Sequence, residues 1–153
     1  MTTPKHIICA VRGHPTSRST ISRAIDLALE TGARLTFLHV VTVEFVEHAT
    51  IGPLSVVYNE LREMSEFMMM LLVDRAQRRG VVLTDYVVRE GDVRKQLRDF
   101  VFETEAQILV MGMPSKLLGR SIFDQENLQT FVAELETIAH VQVVLVEPGS
   151  APT

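Results

Sequence analysis

The sequence predicts an α/β protein with a doubly wound, five-stranded parallel sheet and helices on both faces, a Rossmann-like arrangement. Five short apolar segments alternate with four longer ones whose apolar residues recur every three or four positions, giving the order β-α-β-α-β-α-β-α-β. Most of the short segments are continuously apolar, which is typical of strands buried on both faces of a parallel sheet. Right-handed crossovers between such strands favour a doubly wound fold.

The five predicted strands differ in how continuously apolar they are. The first and fourth look the most buried, so we place them at the centre of the sheet. The third is interrupted by Thr84, Asp85 and Tyr86, which suits an edge strand. The predicted strands cover residues 6–11, 34–41, 81–88, 107–111 and 141–146.

The helices are predicted from their apolar periodicity and from signals at their ends. The first begins near Ser19 and stops at Gly32, a residue typical of helix C-termini. Asp92 is a good N-cap for the third helix, and Asp124 is a candidate cap for the fourth.

The second helix is predicted to be the longest, with Pro53 in its first turn and Gly80 at its end. Its apolar stripe, which we expect to face the core, consists of Val57, Leu61, Met64, Met68, Leu71 and Leu72. Adjacent residues of a helix point in different directions, so the run "FMMM" at 67–70 cannot lie wholly on this stripe. It is interpreted as core packing or, alternatively, as a methionine-rich surface for a partner.

Composition and charge indicate one globular domain over residues 1–153, with 46% apolar and 22% charged residues. The net charge of −4 and the pI of 5.7 argue against nucleic-acid partners and anionic membranes. The single cysteine, Cys9, lies in the first apolar segment and is expected to be a core residue. There is no signal-peptide pattern and no apolar run near the ~20 residues that span a bilayer, so we expect a cytoplasmic protein.

Two loops are predicted to meet where the winding of the sheet reverses, which we place between the first and fourth strands. Ligands of open α/β sheets bind there, at the carboxyl ends of the strands. The loops "VRGHPTSRS" and "GMPSKLLGRS" lead into helices, whose free N–H groups attract anions. Their basic side chains are Arg12, His14, Arg18, Lys116 and Arg120. The pattern indicates a local anion site or, since Gly and Ser are also turn residues, a plain polar loop.

The common catalytic and phosphate-binding motifs do not match. Gly112 and Gly119 are too far apart for GxxxxGK[ST], and Arg120 stands where that motif has Lys. The serines of both loops have no identifiable base, and the five histidines have no metal-ligand spacing. A catalyst is therefore the least supported class.

Several segments, taken together, resemble the universal stress protein (UspA) family over about residues 5–147. They are "HIICAV", "ALETGARLTFLHVV", "VREGDV", "AQILVMGMPS" and "VQVVLVEP". The resemblance implies a five-stranded parallel sheet of order 3-2-1-4-5. Many members bind ATP with an Asp after strand one, a Gly-x2-Gly-x9-Gly-Ser/Thr loop after strand four, and backbone near the end of strand two.

This nucleotide pattern is altered here. Arg12 stands at the Asp position, although Gly13 follows it, and Val41 matches the strand-two position by register. The first loop glycine matches Gly112, and the second falls on Ser115.

The later loop positions also depart from the family pattern. They fall on Gln125 and Glu126, unless a shortened loop brings Gly119 and Ser121 into those roles. Glycines let backbone N–H groups approach phosphates closely, so their loss predicts weak or altered nucleotide binding. The candidate nucleotide-binding residues are Arg12, Gly13, Val41, Gly112, Ser115, Lys116, Gly119, Arg120 and Ser121.

The last strand is predicted to be an apolar sheet edge, which must be covered or paired. In the resembling family the last strand commonly pairs across a dimer, so we expect a homodimer. Its candidate interface is Val141, Val143, Val144, Leu145 and Val146.

Three functional hypotheses follow. The first is a dimeric, non-catalytic stress-response or regulatory protein with weak or altered nucleotide binding, acting on a partner protein. The second is a sensor module that binds ATP or AMP through a re-formed Gly112–Ser121 loop. The third is a phosphotransferase, for which Asp124 and Glu126 are the nearby candidate bases.

Overall fold

A computed structural model of the chain describes residues 5–12, 17–42, 54–113 and 125–147. Five strands form one parallel sheet of order β3-β2-β1-β4-β5. The strands are β1 (His6–Ala10), β2 (Arg34–Val41), β3 (Thr84–Glu90), β4 (Ile108–Gly112) and β5 (Gln142–Val146). The predicted fold class and strand order are therefore confirmed, with the reversal between β1 and β4 and with β3 at an edge.

Within the described ranges four helices connect these strands: α1 (Ser17–Thr31), α2 (Leu54–Arg79), α3 (Val93–Thr104) and α4 (Gln125–Ile138). Gly32 and Gly80 follow α1 and α2 with φ of 71° and 110°, a region that favours glycine. Asp92 caps α3 as predicted, since its carboxylate accepts a hydrogen bond of 3.0 Å from the Lys95 N–H. Pro53 and Asp124 lie outside the described residues. In the described part of the chain, no helix is long and apolar enough to cross a membrane.

The sheet has one apolar core on each face, which explains why its inner strands are continuously apolar. Ile7 and Cys9 of β1 point into the core beneath α1 and α2. Ile8, between them, points into the core beneath α3 and α4. Side chains alternate across a strand, so a strand covered on both faces needs apolar residues at successive positions.

The third strand lies two to three residues later than predicted. Its ladder with β2 runs from Leu35 opposite Thr84 to Val41 opposite Glu90. Val81 instead closes the end of α2, because its N–H bonds the carbonyl of Ala76 at 3.0 Å. Since β3 is an edge strand, its polar residues can stay in the ladder while the more apolar segment before it remains outside.

The core-facing side of α2 agrees with the prediction at Val57, Leu61, Met68 and Leu72, which lie in or against the core, but differs at the other two positions. Met64 and Leu71 are exposed, whereas Met69, Leu72 and Ala76 are buried against the sheet. The helix carries apolar residues on both sides, and its packing on β2 and β3 selects the side centred near Met69 and Ala76.

Candidate anion-binding site

The candidate site lies where the carboxyl ends of β1 and β4 adjoin. Cys9 of β1 stands opposite Val110 of β4, so the chain beyond both residues leaves the sheet at the same place. There the Arg12 guanidinium donates a hydrogen bond of 3.4 Å to the Gly112 carbonyl. The structure thus brings together two predicted site residues that are a hundred positions apart in the chain.

Arg12 carries a positive charge that the described part of the protein does not neutralise. No carboxylate among the described residues forms an ion pair with it. The residue is exposed, yet partial burial of the guanidinium among neighbouring atoms lowers the pKa of Arg12 from its usual value. An arginine is still a cation at neutral pH, with several N–H donors and no acceptor. Arg12 can therefore contact an anion, but it cannot accept a hydrogen bond from a ligand hydroxyl.

Gly112 has a packing role that is visible without a ligand. A Cβ atom at this position would lie 3.1 Å from the Thr20 hydroxyl oxygen, closer than most such contacts. Thr20 is a buried polar residue in the first turns of α1. A glycine at the end of β4 therefore lets α1 approach the strand closely. The sequence analysis did not identify Thr20 as a neighbour of Gly112. The one feature of the sequence that could have indicated it is the position of Thr20 among the hydroxyl residues at the start of α1.

The start of α1 is also tied to the last strand. The Ser19 hydroxyl donates a hydrogen bond of 3.2 Å to the Glu147 carbonyl, just beyond β5. The Met113 N–H bonds the Val146 carbonyl at 2.8 Å, so the chain follows β5 for one residue past β4. These bonds hold α1, β4 and β5 together at one side of the site.

Val41 lies at the carboxyl end of β2, the strand next to β1. Its side chain is buried, and its carbonyl accepts a hydrogen bond of 3.0 Å from the Gly91 N–H. His39, two residues earlier, is hydrogen-bonded through Nδ1 to the Val11 carbonyl oxygen at 2.8 Å. This contact ties the ends of β1 and β2 together.

Most of the predicted loop residues lie outside the described residues. They are Gly13, His14, Ser115, Lys116, Gly119, Arg120 and Ser121. Gln125 and Glu126 open α4, but their side chains are also outside the described part. The described site therefore consists of Arg12 and Gly112, with Val41 on the neighbouring strand.

Cys9 is fully buried, and burial raises the pKa of its thiol to about 12, so the thiol stays protonated as expected of a core residue. Within the described ranges, no group of three or more His, Cys, Asp or Glu side chains is placed to hold a metal ion.

The β5 edge carries the candidate dimer residues. Val144 and Val146 pack against the core beneath α1 and α2, and Val143 and Leu145 pack against the opposite core. All four are half-buried, whereas Val141 is fully buried. Among the described residues β5 pairs with β4 alone, so its other side is an edge of the described sheet.

The model of the universal stress protein family matches residues 3–129, most of the chain. This protein belongs to the universal stress protein family. No curated protein sequence matches the chain significantly.

Solved structures share the fold at low sequence identity. The universal stress protein UspA from Lactobacillus plantarum has a TM-score of 0.73 at 15% identity, covering 95% of this chain and 99% of that one. A universal stress family protein from Burkholderia pseudomallei has a TM-score of 0.68 at 23% identity, covering 97% and 99%. A family member from Arabidopsis thaliana, solved with AMP bound, has a TM-score of 0.56 at 16% identity, covering 96% and 94%.

Proposed function

We propose that this universal stress protein is a non-catalytic regulatory member of its family whose nucleotide site is altered, so that ATP binds weakly or not at all. One observation supports the proposal. Arg12 lies just beyond β1 at the reversal of the sheet and contacts Gly112. By the sequence resemblance, this is the position at which the ATP-binding pattern of the family has an Asp.

The exchange of Asp for Arg changes what this position can recognise. A carboxylate accepts hydrogen bonds from ligand hydroxyls and N–H groups, whereas a guanidinium only donates. Its positive charge favours a phosphate or a carboxylate at the site instead. The proposal is therefore that the site prefers a small or differently posed anion, with Lys116 and Arg120 of the second loop as further cations.

A nucleotide sensor is the alternative function. The Arabidopsis relative was solved with AMP, and AMP carries fewer phosphates than ATP to accommodate. In this alternative, Gly119 and Ser121 rebuild the phosphate loop and Arg12 contacts the α-phosphate. A phosphotransferase would need Asp124 or Glu126 as a base, and phosphate release abolished by Asp124→Asn would support that activity.

The experiment is a chromatographic assay of nucleotide released when the purified protein is denatured. The proposal predicts no stoichiometric ATP in the released fraction. Stoichiometric AMP would favour the sensor, and stoichiometric ATP would contradict the proposal. A matched measurement on Arg12→Asp tests the cause, because this change restores the family's acceptor and is expected to increase co-purified ATP.

The regulatory form is proposed to be a homodimer that pairs through β5. The half-buried apolar side chains of β5 and its unpaired edge support this arrangement. Val143→Lys together with Val144→Glu places charges on both faces of the edge strand and is expected to separate the β5 dimer. Light scattering gives the mass, and an unchanged mass in the folded variant would contradict the β5 interface.

A further inference from the structure

The short connection between α4 and β5 brings a carboxylate of the helix to the last strand. Glu136 lies in the last turn of α4, and Val143 is the second residue of β5. Residues 139–141 alone join the two elements. His140 has a φ of 54°, in the left-handed region, and the chain turns there from the helix into the strand. The Glu136 carboxylate accepts a hydrogen bond of 3.5 Å from the Val143 N–H.

The Val143 N–H lies on the side of β5 that faces away from β4, which we call the outer edge of β5. At the start of β5 the Gln142 N–H bonds the Gln107 carbonyl, next to β4, at 2.8 Å. At its end the Val146 carbonyl accepts from the Met113 N–H at 2.8 Å. Successive residues of a strand direct their backbone groups to opposite sides. The N–H and carbonyl groups of Val143 and Leu145 therefore point to the outer edge.

A second β5 strand would pair through these outward groups. Two copies of one strand edge related by a two-fold axis run antiparallel. An axis at Val144 uses both outward residues, because it places Val143 opposite Leu145 of the second copy. In an antiparallel ladder, each such pair exchanges two backbone hydrogen bonds. The Val143 N–H of each copy is therefore a donor in the homodimer.

Glu136 and a second β5 strand require the same hydrogen atom. The Val143 N–H is a single donor, and a paired strand would place a carbonyl oxygen about 2.9 Å from its nitrogen. The Glu136 carboxylate already lies on that side of the nitrogen. We propose that Glu136 is an intrachain competitor of the β5 dimer, bound to the Val143 N–H in the single chain and displaced when two strands pair. This inference rests on the β5 homodimer proposed above.

The contact is of a kind that a second strand can displace. A carboxylate is a stronger acceptor than a carbonyl, which favours the intrachain bond. The bond is nevertheless long, and the Glu136 side chain is exposed, so its release leaves the carboxylate in water. Charged side chains are a common means by which proteins protect edge strands from pairing. Glu136 therefore lowers the affinity of the β5 dimer without preventing it.

The protection covers one of the two outward N–H groups. Among the described residues, Glu136 bonds the Val143 N–H, and no side chain is found on the Leu145 N–H. Pairing can therefore begin at Leu145. Displacement of Glu136 is needed only when the bonds of Val143 form.

The test is sedimentation equilibrium, which measures the dissociation constant of the dimer. We expect Glu136→Ala to lower this constant about tenfold, because two competing hydrogen bonds, one in each copy, no longer have to break. Alanine is a strong helix former, so α4 is retained. The matched control is Glu63→Ala, which removes an exposed carboxylate from α2, a helix that packs on β2 and β3, and should leave the constant unchanged.

A second variant separates competition for the N–H from repulsion between the two carboxylates of a dimer. Glu136→Gln removes the charge but keeps an oxygen that can accept from the Val143 N–H. Its dissociation constant is expected to lie closer to that of the wild type than to that of Glu136→Ala. Adding Val143→Lys and Val144→Glu to Glu136→Ala should remove the gain, because these changes act on β5 itself.

Four outcomes would overturn the proposal. Equal dissociation constants for the wild type and Glu136→Ala would reject the competitor while leaving the dimer intact. Two proteins that both stay monomeric would reject the competitor together with the β5 dimer. An equal gain in Glu136→Gln and Glu136→Ala would assign the effect to charge repulsion. A gain that survives Val143→Lys with Val144→Glu would place the dimer contact on another surface.

Discussion

Arg34 at the amino end of the sheet and Arg12 at its carboxyl end differ in their partners. At the amino end, Arg34 of β2 forms an ion pair with Asp85 of β3. Asp85 also accepts a hydrogen bond of 2.5 Å from the Thr36 hydroxyl, which is hydrogen-bonded to His6 Nε2 of β1 at 2.8 Å. At the carboxyl end, Arg12 makes one described hydrogen bond, 3.4 Å long, to a carbonyl oxygen.

The difference separates a structural cluster from a candidate site. The amino-end cluster joins three adjacent strands, and its arginine has a carboxylate partner within the chain. The Arg12 charge has no such partner among the described residues, although it lies where ligands bind in this class of fold. Arg34 is therefore neutralised within the sheet, whereas Arg12 has no carboxylate partner in the part of the chain that the structure describes.

The largest effect is expected from removing the carboxylate of the amino-end cluster. Asp85→Ala leaves the buried Thr36 hydroxyl without its acceptor and Arg34 without its partner. Such a loss lowers the free energy of unfolding by about 1–3 kcal/mol. Chemical denaturation measures it, with Asp85→Asn as the control, because an amide oxygen can still accept from Thr36. Equal stability of Asp85→Ala and the wild type would contradict a structural role for this cluster.

A smaller effect is expected at the carboxyl end, from Gly112→Ala. The added methyl group would lie 3.1 Å from the Thr20 hydroxyl oxygen, so α1 or β4 must shift. The expected loss in the free energy of unfolding is about 1 kcal/mol, at the low end of overpacking effects. Thr20→Ala removes the obstructing oxygen, so the same substitution in that background should be less harmful. An equal loss in both backgrounds would place the cause elsewhere.

The smallest effect concerns pH. Burial, followed by the charge of Arg34, lowers the pKa of His6 in the folded protein from its ordinary value of 6.5. As the pH falls below 6.5 the unfolded chain takes up a proton that folded His6 resists, so the free energy of unfolding decreases. Above that pH the contribution is fully present. We expect His6→Gln to make the decrease shallower between pH 7 and pH 5, and an unchanged slope would contradict this account.

The fold was predictable from the sequence because the inner strands are continuously apolar, as strands buried on both faces must be. Ile7, Ile8 and Cys9 read as continuously apolar and lie between two cores. The prediction was less accurate for α2, because both sides of this helix carry apolar residues and either could face the core. Met64 and Met69 are the same residue type in one helix, and only packing on the sheet determines that Met69 is buried.

The candidate site was predictable in its topology but not in its contacts. The reversal of the sheet brings Arg12 to Gly112, because the carboxyl ends of neighbouring parallel strands meet. The approach of Thr20 to Gly112 depends on the tilt of α1, which no local pattern encodes. The roles of Ser115, Lys116 and Arg120 remain predictions from the sequence.

The most direct test of the central claim is calorimetric titration of nucleotide-free protein with MgATP, comparing the wild type with Arg12→Asp. The account predicts weak or absent ATP binding to the wild type and at least tenfold tighter binding to Arg12→Asp, about 1.4 kcal/mol. A parallel titration with AMP distinguishes this altered site from the alternative nucleotide sensor, because AMP binding would favour the sensor. Tight ATP binding by the wild type, or equal affinities in the two proteins, would contradict the claim that Arg12 alters the site.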